Sequence, residues 1–243
     1  DRICRKLRLG PKDHLLEIGT GWGALAIHAA KVYGCRVTTT TISAQQHEGA
    51  ARRIHEAGLT KRIRLLQRDY RDLEGRYDKL VSVEMIEAIG HEYFEAFFAA
   101  CARLLKPDGQ ALLQTITIAD RHYLAARDSV DFIKKYIFPG SCIPSVSALL
   151  SAATRAGDLT LSHLEDLTPH YATTLRHWRL RFLERRAEIA RLGFSEKFLR
   201  MWEYYLALCE GGFESRHIGD VQMLFRKPLD RRPPLLPRLT DQA

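Results

Sequence analysis

The stretch "LLEIGTGWGALAIHAA", residues 15–30, constrains the fold more than any other. A short apolar run reads as a buried strand, a glycine-rich turn follows it, and a helical pattern opens directly after the turn. Gly19, Gly21 and Gly23 permit a sharp turn and a close approach of backbone to a ligand. The start of the helix adds N–H groups that have no partner within the helix. The same alternation continues down the first half of the chain. Strand patterns occur at 14–19, 35–41, 63–67, 79–84 and 110–118, with helical patterns at 22–32, 44–57 and 91–105 between them. Strands interleaved with helices imply right-handed βαβ crossovers, hence an α/β, doubly wound, mainly parallel sheet.

The second half reads differently. Residues 119–170 look irregular, with "FPGSCIPS" marking a loop. The segment 171–192 is helical by pattern, with Leu175, Trp178, Phe182 and Ile189 as its expected buried stripe. Arg176, Arg179, Arg181, Arg185, Arg186 and Arg191 fill its other faces. A further helix is expected over 195–210 and a late strand over 219–227. We therefore expect one domain over 1–228 with a helical lid insertion at about 119–212, and a disordered Pro-rich tail over 229–243. The chain opens without methionine inside a helical pattern, which leads us to expect a piece of a longer protein.

Composition narrows the partners. The hydrophobic share of 46% supports a real core. No apolar run approaches the roughly 20 residues that span a bilayer. The five cysteines are scattered without a CxxC pair, so zinc ribbons and redox motifs are not expected, no metal site is read, and thiols in a reducing cytosol are the default. A net charge of +8 favours anionic partners. Nucleic acid ranks low because no RNP-type, KH or zinc pattern is present.

Two cofactor readings compete at the glycine loop. "GTGWGA" fits the dinucleotide fingerprint, yet that fingerprint wants an acid at the end of the second strand, where this chain has "TTTTIS". Glu17 precedes the glycines in the pattern E-x-G-x-G-x-G. With "RDYRDL" after the third strand and "LLKPDGQALL" before the fifth, this resembles motif I of class I S-adenosylmethionine-dependent methyltransferases. The cofactor is a cationic sulfonium, so carboxylates and amide dipoles suit it better than a phosphate cradle. Asp69, flanked by Tyr70, can accept from the adenine amino group, and Thr41 and Gln46 can reach the ribose or the amino-acid end. Asp69 also has a plain use as a turn acid, and Thr41 and Gln46 as residues at a helix start or on its solvated face.

The likeness sharpens at "VTTTTISAQQ", "RDYRDLEGRYDKLVSVEMIEAIGHEYFEAFF", "DFIKKYIFPGSCIPS", "TLRHW" and "WEYYLALCEGGF". Over residues 3–228 the chain resembles the cyclopropane-fatty-acyl-phospholipid synthases, which include the mycolic acid cyclopropane synthases. The resemblance implies a Rossmann-like sheet, mainly parallel with a late antiparallel strand. It implies addition of a methylene across a cis double bond of a phospholipid acyl chain. In that family a bound bicarbonate is thought to deprotonate the carbocation. Carried over residue by residue, Glu87 in "MIEAIG", Tyr171 in "PHYATTL" and the backbone N–H of Ile116 in "LLQTITI" match the groups that hold it. Gln114 stands where relatives often have His; its amide can donate to an oxyanion but carries no proton. Glu84 falls where relatives often have a small residue, and no catalytic role is read for it. Either acid can also serve the helix that starts near His91. The family's Cys belongs upstream of motif I, and Cys4 does not match it.

A phospholipid substrate implies a cytoplasmic protein, peripherally membrane-associated. The arginines of 171–192 and the loop around "FIKKYIFPG" are then expected to meet anionic lipid headgroups, with Phe132, Ile137 and Phe138 touching acyl chains. A plain solvated helix face is the competing reading of those arginines. A homodimer is compatible with the sequence, which does not specify one. Two other functions stay open: a relative that makes methyl-branched lipid or methylates an amine, and a non-catalytic cofactor- or membrane-binding module.

Overall fold

Neighbouring residues of a strand face opposite sides of a sheet, so the paired apolar residues of these strands need cover on both faces. The computed structural model describes residues 1–235. Its strands are β1 (His14–Ile18), β2 (Arg36–Thr41), β3 (Ile63–Gln67), β4 (Tyr77–Val83), β5 (Leu105–Ile118), β6 (Thr160–Asp166) and β7 (Ile218–Arg226). They form one sheet in the order β3-β2-β1-β4-β5-β7-β6. The first five run parallel, and β7 is antiparallel to both β5 and β6. The helices are α1 (Arg2–Lys6), α2 (Ala24–Val32), α3 (Ala44–Glu56), α4 (Phe94–Leu104), α5 (Asp120–Arg127), α6 (Phe132–Tyr136), α7 (Val146–Ala156), α8 (Thr168–Glu184), α9 (Arg186–Arg191) and α10 (Glu196–Glu214).

Leu15, Val81 and Leu112 face one side, where Cys4 and Leu7 after α1, Ala26 and Ala29 of α2, and Ala50 and Ile54 of α3 close over them. Leu16, Leu80 and Leu113 face the other, against Phe97 and Phe98 of α4 and Leu149 of α7. The mainly parallel doubly wound sheet with late antiparallel pairing agrees with the sequence. Its ligand-binding edge is the carboxyl end of the parallel strands.

The second half needs correction. Residues 119–170 are not irregular: they hold α5, α6, α7 and β6. Helix α7 packs on α4, and β6 is the edge of the main sheet, so Val146–Asp166 belongs to the core and the lid is not one insertion over 119–212. It comes in two pieces, around α5–α6 and over α8–α10. Small residues dominate α7, and β6 alternates half-buried with exposed positions, so neither presents a run of large apolar residues. Helices α8 and α10 close over a third cluster of Leu175, Leu206, Cys209 and Phe213. Within the expected stripe Leu175 is buried and Phe182 and Ile189 are half-buried, whereas Trp178 is exposed.

The tail is also corrected in part. Asp230 is buried and accepts from Gln110 Nε2 at 2.8 Å, and Arg8 donates to the carbonyl of Pro233 at 2.8 Å. Leu235 packs on the first-face core. Residues 229–235 are therefore ordered against the sheet, and the rest of the expected tail lies outside the described residues. Among the described residues no helix is long and apolar enough to cross a membrane.

Candidate active site

Two cavities meet at the carboxyl edge of the sheet, and Ala88 lines both. The first, of about 550 Å³, lies over the ends of β1, β2 and β3. Gly19, Thr41, Gln46, Asp69 and Tyr70 line it together with Met85, Ile89 and Tyr93. Gly19 has φ +99°, and a Cβ there would stand 3.4 Å from Met85 Cγ, so glycine serves both the turn and the close packing. Gly23, at φ +81°, begins α2 and faces Ala50. Gly21 and Gly23 shape the turn without lining the cavity, and Glu17 does not line it either.

Glu17 lies beneath the loop. It is buried, and its Oε2 accepts from the Thr39 hydroxyl at 2.5 Å; Thr20 and Thr39 hydroxyls are 2.7 Å apart. Burial pushes its carboxyl up to about 8, with the Thr39 hydrogen bond opposing the shift. This acid braces the turn from below, and the expectation that it contacts the cofactor is not met by its position.

The polar groups of the first cavity are held locally. Thr41 Oγ1 donates to Gln46 Oε1 at 2.8 Å, and Ser43 caps α3 by accepting from Gln46 N–H. Asp69 accepts from the Arg71 backbone N–H at 2.9 Å and from its guanidinium at 2.8 Å. Hydrogen bonding to Arg71 holds the Asp69 carboxyl below the usual carboxylate range, so it stays ionised. Tyr70 turns its ring into the core, edge-on to Phe97 at 5.6 Å, and contributes wall.

The second cavity, of about 180 Å³, is enclosed by the lid. Ile133 and Phe138 of the first lid piece, and Leu175, Tyr205 and Phe213 of the second, give it apolar sides. Glu84, Glu87, Ile116 and Tyr171 line its base. Of the expected acyl contacts, Phe138 lines this cavity; Phe132 instead packs edge-on to Tyr204 at 4.7 Å.

Three neighbouring strands, β4, β5 and β7, bring the acids of this base together. The Ile116↔Asp220 register between β5 and β7 adds Asp220, which no sequence pattern singled out. Glu87 Oε1 accepts from the Thr115 hydroxyl at 2.8 Å and from the Ile116 N–H at 2.5 Å, while its Oε2 is buried without a partner. Burial pushes Glu87 up to about 7. Asp220 Oδ2 accepts from Gln114 Nε2 at 2.9 Å, and its Oδ1 is buried without a partner. Burial first, and then the charges of Glu84 and Glu87, push Asp220 up to about 8. Gln114 Oε1 accepts from Gln222 Nε2 at 2.9 Å, which orients its amide toward the two acids.

Glu84 is the departure from expectation. Its backbone has φ +49°, a left-handed conformation that costs a residue with a side chain on the order of 1 kcal/mol. Its carboxylate accepts from the Tyr171 hydroxyl and, at 3.3 Å, from Gln114 Nε2. Its side chain is exposed by surface area and lines the cavity, where desolvation raises its carboxyl above the ordinary range, against the hydrogen bonds from Tyr171 and Gln114. Tyr171 stacks on Phe213 at 4.5 Å, which ties this contact to the lid.

The donor set does not fit bicarbonate as expected. Tyr171 and Gln114 donate to Glu84, and the Ile116 N–H donates to Glu87. A further anion would meet two chain carboxylates where the resemblance requires free donors.

The basic helix face is corrected in part. Arg176 and Arg179 both reach Glu210, and Arg176 also reaches Glu214. Arg186 pairs with Glu196 and Glu203, and Arg185 lies 3.7 Å from Glu188. Arg176, Arg179 and Arg186 thus join the helices of the lid, while Arg181 and Arg191 form no ion pair among the described residues.

Comparison with known proteins agrees with this geometry. The chain is 43% identical over 222 residues to the tuberculostearic acid methyltransferase of Mycobacterium tuberculosis, covering 91% of this chain and 52% of that protein. It is 38% identical over 229 residues to the cyclopropane-fatty-acyl-phospholipid synthase of Escherichia coli K12, covering 94% and 57%. The chain thus spans about half the length of these curated relatives. The structure of the cyclopropane synthase MmaA2 from Mycobacterium tuberculosis matches with a TM-score of 0.86 at 30% identity, covering 93% of this chain and 82% of that one. The family model described as mycolic acid cyclopropane synthetase matches residues 1–223. The sheet, the two adjoining cavities and these matches together place the chain in the mycolic acid cyclopropane synthetase family.

Proposed function

We propose that this segment is the catalytic part of an S-adenosylmethionine-dependent enzyme that adds one carbon to a cis double bond of a phospholipid acyl chain and closes a cyclopropane ring. The observation that carries the reading is the apolar cavity with Glu84 and Glu87 at its base, beside a larger cavity lined in part by Thr41, Gln46 and Asp69 and joined to it at Ala88. S-adenosylmethionine, when bound, supplies an electrophilic methyl carbon and a neutral thioether leaving group. Thr41 and Gln46 would hold its ribose or amino-acid end, Asp69 its adenine amino group, and Gly19 admits a close backbone approach.

An alkene is a weak nucleophile, so the chain's work is placement and support of positive charge. Ile133, Phe138, Leu175 and Phe213 exclude water around an acyl chain. Glu87, ionised above about 7, sets a negative charge beside the carbocation that forms on the lipid. No step is routed through bicarbonate, for the donors assigned to it already serve Glu84 and Glu87.

A second reading has support from the 43% identical relative, whose name is that of a fatty-acid methyltransferase. The cation can lose a chain proton instead of a proton of the added carbon, leaving a methyl branch without a ring. The test incubates the full-length protein with S-adenosylmethionine and vesicles of unsaturated phospholipid, then analyses the released fatty acids. A mass gain of one CH₂ with ring protons in the NMR spectrum supports ring closure. The same gain with a methyl branch supports the second reading. Methyl transfer to an amine, with no lipid product, overturns both.

A further inference from the structure

Two donors expected to hold an external anion turn to a carboxylate of the chain instead. Three observations converge on Glu84. Its carboxylate accepts from both Tyr171 Oη and Gln114 Nε2, two of the groups matched to the anion-holding set. It lines the apolar cavity, and its backbone adopts a left-handed conformation that delivers a side chain there. The third donor, the Ile116 N–H, is taken by Glu87, which leaves Glu84 as the carboxylate held by side chains at the cavity wall.

We infer that Glu84 occupies the place of an external anion and acts as the general base for the lipid carbocation. The inference rests on the acyl-chain reading above. The alkene π pair forms a bond to the methyl carbon as the carbon–sulfur bond breaks toward sulfur. The neighbouring alkene carbon becomes cationic. A Glu84 oxygen takes one proton from the added carbon, and the freed C–H pair closes the ring. One sulfonium and one carboxylate become one thioether and one carboxylic acid, so charge balances without an added base.

Tyr171 and Gln114 are positioning residues in this scheme. Both donate to the ionised form of Glu84 and fix where its oxygens point. Gln114 also donates to Asp220 and accepts from Gln222, so its amide cannot turn freely. The absence of a titratable group at position 114 matters little when the proton goes directly to a carboxylate of the chain.

The experiment compares wild type, E84Q and E84G in the full-length protein, in carbon-dioxide-free buffer with and without added bicarbonate or formate. Glycine suits φ +49°, so E84G is the variant expected to keep the local backbone. Lipid product, cofactor affinity and line broadening of ¹³C-bicarbonate are read separately. Support consists of wild-type turnover that ignores bicarbonate, and losses of about 100-fold or more in E84Q and E84G at unchanged cofactor affinity. Partial return of E84G activity with formate or bicarbonate adds to it, because a small anion then fits between Tyr171 and Gln114. Wild-type turnover that requires bicarbonate, or E84Q with near-normal turnover, overturns the inference. If wild type itself makes no lipid product, the acyl-chain reading and the base role fail together. Saturable ¹³C-bicarbonate binding by E84G alone then still distinguishes that failure from an error in where Glu84 sits.

Discussion

The two cavities of this chain are built in opposite ways. The larger is made from consecutive strand ends and the turns that follow them, and its polar side chains pair with neighbours a few residues away: Thr41 with Gln46, and Asp69 with Arg71. The smaller is assembled from β4, β5, β7, α8 and α10, and its contacts join residues far apart, such as Glu84 with Tyr171 and Gln114 with Asp220. A cofactor site of the first kind is carried by local turn chemistry. A reaction chamber of the second kind exists only when the sheet register and the lid are both in place.

That contrast can be broken in a definite order. A large effect, comparable with that at Glu84, is expected from Glu87→Gln, which removes the charge proposed to lie beside the carbocation. Turnover should fall about 100-fold, with cofactor affinity unchanged by calorimetry. The wild-type profile should lose activity as pH falls through about 7, where Glu87 gains a proton, and this limb should vanish in the variant. Equal loss of cofactor binding would mean that the two cavities are not separable.

Tyr171→Phe removes the hydroxyl from Glu84 while keeping the ring on Phe213. A turnover loss of about 10-fold at constant KM for the cofactor is expected, since one hydrogen bond to a charged group contributes about 1.5–3 kcal/mol. The converse test is Asp69→Ala. It should weaken cofactor binding by about 10-fold and leave saturated turnover nearly intact. A turnover loss larger than the affinity loss would move Asp69 out of the binding role.

The smallest effect is on stability. Glu17 is pushed up to about 8 in the folded chain, above its unfolded value, so the folded state holds a proton that the unfolded state releases first. Stability from this group is full below the unfolded carboxyl range and declines as pH rises toward about 8. Glu17→Gln removes that penalty. Its melting temperature should gain on wild type at pH 8 and show little gain at pH 4, measured by calorimetry in the absence of cofactor. The opposite slope would place an ionised carboxylate under the loop.

Legibility followed the same divide. Six of the strands and the glycine turn were readable because each is a contiguous apolar or glycine pattern. The lid helices α8 and α10 were readable from their helical spacing. Strand β6 and helix α7 were not, because one is a half-exposed edge and the other is built of small residues. Glu87 and Tyr171 were legible by resemblance, and both line the smaller cavity. The position of Glu84 was not legible, since it depends on one left-handed residue and a partner 87 positions away. Asp220 depends on antiparallel register, which no local pattern encodes. The pairing of the arginines of α8 was not legible for a similar reason: their partners Glu210 and Glu214 lie on another helix, far along the sequence.

The larger lid piece leaves the sheet after Asp166 and returns at Ile218, and the two ends touch, with the Leu167 N–H bonded to the Asp220 carbonyl at 2.7 Å. Seen from the sheet, α8–α10 is a loop with a single doorway. Such a segment is an exchangeable cassette: a hairpin of different length can be grafted through the same doorway without re-registering any strand. One wall of the smaller cavity can therefore change by replacing one cassette, while the turns around the larger cavity stay untouched.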